Sequence, residues 1–498
     1  MSAGPGEVRV PRGVTVRLDR QALRLDDGAV LVGGAPPRMM HLAPAAAELV
    51  RADGTATVDG PTSAALVRTL LDAGIAHPVE VPAGAAPTAD EVTVVVPVRD
   101  RVDGLRRLLA GLPGLRTVVV DDGSTDAGAI AAVAGEAGAR VLRHERSRGP
   151  AAARNTGLAA AGTALVAFLD SDVVPEPGWL DPLLAAFADP AVGLAAPRIV
   201  ALAPVRGWLG RYEALRSSLD LGRDPALVVP RSRVAYVPSA AVVVRRAAAG
   251  AGFDDRMHVA EDVDLVLRLH AAGWRLRYEP AARVGHDHRT RPVQWWLRKA
   301  YYGTGAAPLA LRHRGSVPPM VLSPSGAAIA GLVVLARPWS LLGAAVVAVG
   351  STERLARRLG RLREPRRTAA RLVGLGALGT IAQTADAVTR HYWPVSVVAA
   401  LLSRRVRRRV LAIALVEGVV DWWRHRDPEG RAGLDPARFV LARRLDDLGY
   451  GAGLWWGAWR HRTVQPLRPV GAGASGRSER PARPGADQSP MDSTRPQG

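Results

Sequence analysis

From Glu91 onward the chain alternates between continuous apolar runs and helical patterns, and each run stops at a polar cluster. Residues 92–96 end at Pro97, residues 117–120 at Asp121-Asp122-Gly123-Ser124, and residues 164–169 at Asp170-Ser171-Asp172. Helical stretches near 105–109 and 129–137 lie between them. Runs this uniformly apolar are strands buried on both faces, so the spacing predicts a parallel sheet covered by helices, an α/β sandwich. Such sheets bind ligands at the carboxyl ends of their strands, which is where these carboxylates stand.

The polar clusters define the candidate chemistry. In Asp121-Asp122-Gly123-Ser124-Thr125-Asp126, carboxylates at a strand end can accept hydrogen bonds from a nucleobase NH and a ribose hydroxyl, or they can cap the next helix. Asp170-Ser171-Asp172 offers hard oxygen ligands for a divalent cation that bridges a diphosphate. Glu261-Asp262-Val263-Asp264 enters an amphipathic pattern and is either a cap pair or the seat of a general base. His286 and His288 can complete a metal or diphosphate site, or serve the fold alone.

Taken together, these pieces resemble the family 2 glycosyltransferases with a GT-A fold. The resemblance spans about 92–288 and rests on the ordered set VVVPVRDR, VVVDDGSTD, RGPAAARNTGL, FLDSD and EDVDLVLRLHAAGW. It implies a nucleotide-sugar site made by Pro97, Arg99, Asp121, Asp122, Arg154 and Asp170. Asp122 would contact uracil with Asp121 supporting it, and Arg154 would lie near the nucleotide. Asp172, assisted by Asp170 and with His286 or His288, would bind a divalent metal, Mg2+ or Mn2+, and Asp262 would be the base of a single inverting displacement. The Q-x-x-R-W signature of processive members is not matched by Gln294-Trp295-Trp296-Leu297-Arg298, which argues against long-chain synthesis.

The whole arrangement is similar to one subfamily, the mycofactocin system glycosyltransferases. The supporting stretches are LDRQALRLDDGAVLVGG, MHLAPAAAELV, and Lys299-Ala300-Tyr301-Tyr302-Gly303 ahead of an arginine-rich apolar region. That resemblance implies UDP-glucose as donor, the peptide-derived redox cofactor premycofactocin as acceptor, and a short β-1,4 glucan as product. A polyprenyl-linked or cell-envelope glycan is the alternative acceptor. The N-terminal segment also looks like the small α+β peptide-recognition domain of ribosomal-peptide pathways, which adds a peptide as an extra strand; a structural cap is the competing reading.

Four regions are therefore expected: a small α+β domain over 8–80, the GT-A domain over 91–315, a helical, arginine-rich, membrane-associated region over 323–462, and a disordered tail over 463–498. In the first, Asp27-Gly28 between the runs 14–18 and 29–32 signals a hairpin, and helices are expected over 45–50 and 63–73. Residues 326–350 contain one arginine and no acid, enough to cross a bilayer at about 1.5 Å per residue. Arg337-Pro338 interrupts that stretch, so a re-entrant hairpin or interfacial helix competes with a span.

Charge supports the same division. The formal charge is +20, and residues 331–498 carry 28 arginines against 13 acids, leaving the first two thirds near balance. Arginine clusters between apolar segments suit an anionic cytoplasmic membrane surface, and no signal peptide is expected at the N-terminus. A nucleic-acid partner is not expected, since aromatics make up only 5% and no base-reading motif is present. The absence of cysteine excludes disulfides, thiolate metal sites and a Cys nucleophile.

Overall fold

A computed structural model of the chain describes residues 9–426 and 433–472. The N-terminal unit contains β1 (Thr15–Leu18), β2 (Leu23–Leu25), β3 (Val30–Gly33), β4 (Arg38–His41), α1 (Pro44–Glu48), β5 (Thr55–Thr57), α2 (Pro61–Asp72) and β6 (Ala76–Glu80). These make two three-stranded sheets, β5-β1-β6 and β2-β3-β4. Asp27-Gly28 does turn an antiparallel hairpin, but β3 pairs with β2, Leu23 facing Val32, and not with the earlier run. That run, β1, is the centre of the other sheet because Val14 and Val16 are needed in the core with Val67, Leu70 and Ile75.

The central domain follows as β7 (Val92–Val98), α3 (Val102–Ala110), β8 (Arg116–Asp121), α4 (Ala127–Glu136), β9 (Arg140–Arg143), α5 (Pro150–Ala160), β10 (Leu165–Leu169), β11 (Val173–Pro175), α6 (Leu180–Ala186), β12 (Val192–Ala201), α7 (Gly207–Arg216), β13 (Ala226–Leu227), β14 (Ala241–Arg245), α8 (Arg246–Ala249), α9 (Glu261–Ala271) and β15 (Arg275–His286). The sheet runs β11-β15-β12-β14-β10-β7-β8-β9, with β13 beside β15. Its β10-β7-β8-β9 half is parallel, as the apolar runs predict. The sheet as a whole is mixed, because β14 lies antiparallel between β10 and β12. Separate apolar cores cover the two faces, one around Val94, Val96 and Leu105, the other around Val95, Phe168 and Leu265. On the second face α5 lies so close to β7 that a Cβ on Gly157 would come within 2.2 Å of Val95 Cγ1. That contact fixes the height of α5 and hence of Arg154.

The C-terminal third is helical: α10 (Pro292–Thr304), α11 (Ala306–Arg312), α12 (Pro324–Leu335), α13 (Pro338–Arg358), α14 (Pro365–Asp386), α15 (Trp393–Leu402), α16 (Arg404–His425) and α17 (Pro436–Arg460). Among the described residues no helix is long and apolar enough to cross a membrane. The segment 326–350 is broken at Ala336-Arg337, where Ala336 adopts φ 47°, and α12 and α13 fold back on each other. The span reading is thereby overturned, and the segment breaks beside Arg337-Pro338.

α17 runs along α10 at a distance set by glycine: a Cβ on Gly453 would meet the Ala300 carbonyl at 1.7 Å. At that seam lies a buried ionic network. Arg443 reaches Asp447 at 2.6 Å, Asp386 at 2.5 Å, Glu417 at 3.1 Å and Asp421 at 3.2 Å. Arg390 reaches Asp446 and Asp447, both at 3.1 Å, and Lys299 ties Asp446 at 3.1 Å to Glu213 at 2.7 Å. The network joins α7 and α10 to α14, α16 and α17, so the central domain and the helical region share one interior. The expected disordered tail is ordered at its start: Tyr392 Oη donates to the Leu467 carbonyl at 2.6 Å, and Val470 pairs with Val321. Residues 473–498 of that tail lie outside the described residues.

Candidate active site

A cavity of about 890 Å³ opens over the carboxyl ends of β7, β8 and β10 and the N-terminus of α9. Its volume is in the range of sites that hold a ligand of drug size or somewhat larger. Pro97, Arg99, Asp122, Arg154, Asp170, Asp172, Asp262 and His286 all border it, so most of the expected residues converge although they span some 190 positions.

Asp122 makes the shape of one end. Its carboxylate accepts from His144 Nδ1 at 2.7 Å, Arg148 N at 2.8 Å, Ser147 Oγ at 2.7 Å and Gly149 N at 2.9 Å. Burial works to raise its pKa, but these donors outweigh burial and leave it below the ordinary carboxylate range. Four acceptances fill a carboxylate, so in this structure Asp122 organises the loop 144–149 and has no lone pair spare for a nucleobase. Arg99 donates to Ser147 Oγ at 3.1 Å and so joins the same rim. Asp121 does not border the cavity; it is buried, accepts from Ser124 N at 2.9 Å and pairs with Arg143.

Arg154 is the central strut. Fully buried in α5, it donates to Glu261 Oε1 at 2.9 Å and Asp170 Oδ1 at 2.6 Å, with its guanidinium 5.3 Å from the Phe253 ring centre. Burial opposes its charge, but Asp170 and Glu261 more than compensate and raise its pKa further. The arrangement separates two adjacent carboxylates into different tasks. Glu261 is neutralised by Arg154, while Asp262 accepts only from backbone amides, Ser239 N at 3.2 Å and Val263 N at 2.8 Å, and faces the cavity half-buried. Burial and the charge on Glu261 push the Asp262 pKa up to about 6, against the pull of Ser239 N and Arg154. A carboxylate so tuned suits proton abstraction near neutral pH. The turn into α9 is itself strained: Ala260 has φ 64°, a left-handed conformation costing a non-glycine residue roughly 1–2 kcal/mol.

The structure also tests the fit of a divalent cation. Asp172 Oδ2 pairs with Arg101 at 3.0 Å, but its buried Oδ1 has no hydrogen-bond partner. His286 Nε2 stands 3.6 Å from that oxygen, beyond hydrogen-bond range. Burial pushes His286 and His288 each down to about 4, so both rings are neutral, and their Nδ1 atoms share one proton at 3.1 Å. With that proton assigned to His286, its Nε2 lone pair faces the orphaned Asp172 oxygen, which is a pair of donors for a cation. Asp170 is committed to Arg154, and His288 sits behind His286 beside Glu213, at 3.8 Å. Among the described residues no three His, Cys, Asp or Glu side chains form a metal cluster. Two protein donors fit a cation whose remaining ligands are phosphate oxygens and water.

The opposite wall is what the sequence concealed. Tyr236, Tyr302 and Tyr450 border the cavity with Arg298 and Arg390, and the electrostatic neighbours of Tyr236 include Asp262, Tyr450 and Arg390. Arg390 stacks 4.1 Å from the Tyr450 ring centre, and Arg298 lies 5.0 Å from that of Tyr302. Gln294 and Arg298, one turn apart on α10, do not complete the Q-x-x-R-W signature, yet both border the cavity. Their i, i+4 spacing was the available signal. Nothing local marks Arg390 or Tyr450, which come from the helical region.

Residues 93–248 match the family described as Glycosyl transferase family 2. A protein of Mycobacterium tuberculosis (strain CDC 1551 / Oshkosh) named Pre-mycofactocin glycosyltransferase is 48% identical over 468 residues, covering 93% of this chain and 98% of its own length. Its counterpart in strain ATCC 25618 / H37Rv matches equally. The succinoglycan biosynthesis protein ExoU of Rhizobium meliloti (strain 1021) is 30% identical over 213 residues, 39% of this chain and 60% of that protein. Among solved structures, mannosyltransferase PcManGT from Pyrobaculum calidifontis, in complex with GDP-Man and Mn2+, is 21% identical with a TM-score of 0.35, covering 60% of this chain and 91% of its own.

Proposed function

This chain belongs to the pre-mycofactocin glycosyltransferases of glycosyl transferase family 2, and from that premise we propose that it transfers glucose from UDP-glucose to premycofactocin, with inversion, and extends the product as a short β-1,4 glucan. The observation that carries the reading is the placement of Asp262. It is the one carboxylate of the Glu261-Asp262 pair left without a cationic partner, its pKa is raised, and it faces a cavity whose other end is the loop organised by Asp122.

In this mechanism the acceptor hydroxyl lies against Asp262, which takes its proton as the oxygen attacks the anomeric carbon. The new carbon–oxygen bond forms as the bond to the diphosphate breaks on the opposite face, and UDP departs with the electron pair. Asp172 and His286 would hold a divalent cation, Mg2+ or Mn2+, whose chemistry is to neutralise charge on the diphosphate. Arg154 keeps Glu261 and Asp170 in place and so sets where Asp262 points. Tyr236, Tyr302 and Tyr450 line the same cavity as the base, and aromatic side chains suit a planar group or a sugar ring, so the acceptor and its glucosylated product can use one wall. The same reading assigns precursor-peptide contact to the N-terminal unit, where β4 lies at the edge of its sheet and can be extended by a strand.

The test is a product screen. Incubation with UDP-glucose, premycofactocin and Mn2+ is expected to give serial hexose additions by mass spectrometry, abolished by a chelator. Absence of hexose on premycofactocin, with transfer instead to a polyprenyl-linked acceptor, would sink the reading in favour of an envelope-glycan enzyme.

A further inference from the structure

The helical region carries an apolar surface that the catalytic chemistry does not use. Leu342 and Val346 on α13, Leu378 on α14, Leu401 and Leu402 on α15, and Val416 on α16 are each more than half exposed, Leu402 to 83%. Helical spacing groups such residues into stripes: Leu342 and Val346 are one turn apart on α13, and Leu401 and Leu402 follow Val398 by three and four positions on α15. The helices concerned are neighbours, α13 against α14, α14 against α16 and α15 against α16. Six such side chains on four neighbouring helices are more exposed apolar surface than a soluble monomer usually leaves uncovered.

Charge says what covers it. In the buried network of this region Arg390, Arg443 and Arg444 each pair with at least two carboxylates. Arg404, Arg405, Arg407 and Arg408 follow directly on the exposed end of α15, are themselves exposed, and have no carboxylate partner among the described residues. Tryptophans join them: Trp339 lies 5.8 Å from the Arg337 guanidinium and Trp423 lies 3.5 Å from that of Arg426, and both rings are more than half exposed. Apolar side chains bordered by exposed tryptophan and unpaired arginine match the layers of a lipid interface. A second copy of the chain is a poor occupant, because an isologous contact would bring unpaired arginine rims together.

We propose that α13–α16 form an in-plane docking surface for an anionic lipid bilayer, with the exposed leucines and valines in the acyl boundary and the arginines on the phosphates. No spanning helix is needed, and none is present among the described residues.

The full chain is to be floated with vesicles of phosphatidylglycerol and phosphatidylcholine and with vesicles of phosphatidylcholine alone. Binding to the anionic vesicles, weakened by salt, is expected. Each of Arg404→Gln, Arg405→Gln and Arg408→Gln should lower partition by about five-fold. Leu401→Glu with Leu402→Glu should abolish flotation while retaining transfer to a soluble acceptor, which also shows that the variant folds. The proposal is overturned if the wild-type chain stays unbound with anionic vesicles at low salt, or if the Leu401, Leu402 variant floats as well as wild type. It is also overturned if light scattering shows a dimer that this variant converts to monomer, because the face would then join two copies.

Discussion

Asp262→Asn is expected to lower kcat by about 10²–10⁴-fold, the usual contribution of a positioned general base, and to leave donor affinity close to that of the wild type. The substitution preserves shape, and the single side-chain oxygen of Asn can keep one of the two bonds that Ser239 N and Val263 N make to separate oxygens of Asp262. What is lost is proton acceptance at the one carboxylate of the pair that Arg154 does not neutralise. The wild-type pH profile carries a second signature. Because burial and Glu261 raise the Asp262 pKa to about 6, the inactive protonated form accumulates as pH falls through that value. The acid limb of kcat/KM should therefore lie near pH 6, above the ordinary carboxylate value of about 4, and should be missing from the residual activity of the variant. Normal turnover by Asp262→Asn, or an unchanged acid limb in it, places the base elsewhere.

Arg443→Met is expected to destabilise the chain by about 3–5 kcal/mol, the usual consequence of removing one partner from a buried ionic cluster. Four carboxylates meet this guanidinium, and Asp447 is held above its ordinary pKa by burial even with the arginine present. Without Arg443 the folded-state pKa of Asp447 rises further, and those of Asp386 and Asp421, which the arginine helps to hold low, rise as well. A folded-state pKa above the unfolded value favours the folded state at low pH and loses that advantage as pH rises. The deficit of the variant should thus be largest near neutral pH and shrink on acidification toward the carboxylate range. Denaturant titrations at two pH values measure both effects, and a pH-independent deficit would indicate a simple cavity. Because Arg390 belongs to the same network and also borders the catalytic cavity, loss of activity should accompany loss of stability.

Reading the chain before its structure succeeds where the information is local. Uniform apolar runs forecast β7, β8 and β10, and the carboxylates that end them mark the ligand end of the sheet. The division of labour between Glu261 and Asp262 is not local, since it depends on Arg154 arriving from a helix 107 positions away. Asp122 shows the same limit. Its motif announces a nucleotide site, but only the fold reveals that the loop 144–149 consumes its hydrogen-bonding capacity. The helical region shows a related limit. Asp386, Glu417, Asp421, Asp446 and Asp447 are scattered through apolar sequence, and nothing local shows that they meet. Packed, those acids surround Arg443 and Arg390, turning one side of the region into a charged interior. Tyr450 reaches the catalytic cavity by the same packing, with the glycine seam of α17 against α10 deciding its position.

The most direct test of the central claim is the configuration of the newly formed glycosidic bond. With UDP-α-glucose as donor, a single displacement assisted by Asp262 must invert the anomeric carbon. Proton NMR of the first glucosylated product should show a β-anomeric signal and no α signal. An α product would mean retention, and with it a mechanism in which Asp262 is not the base of a single displacement.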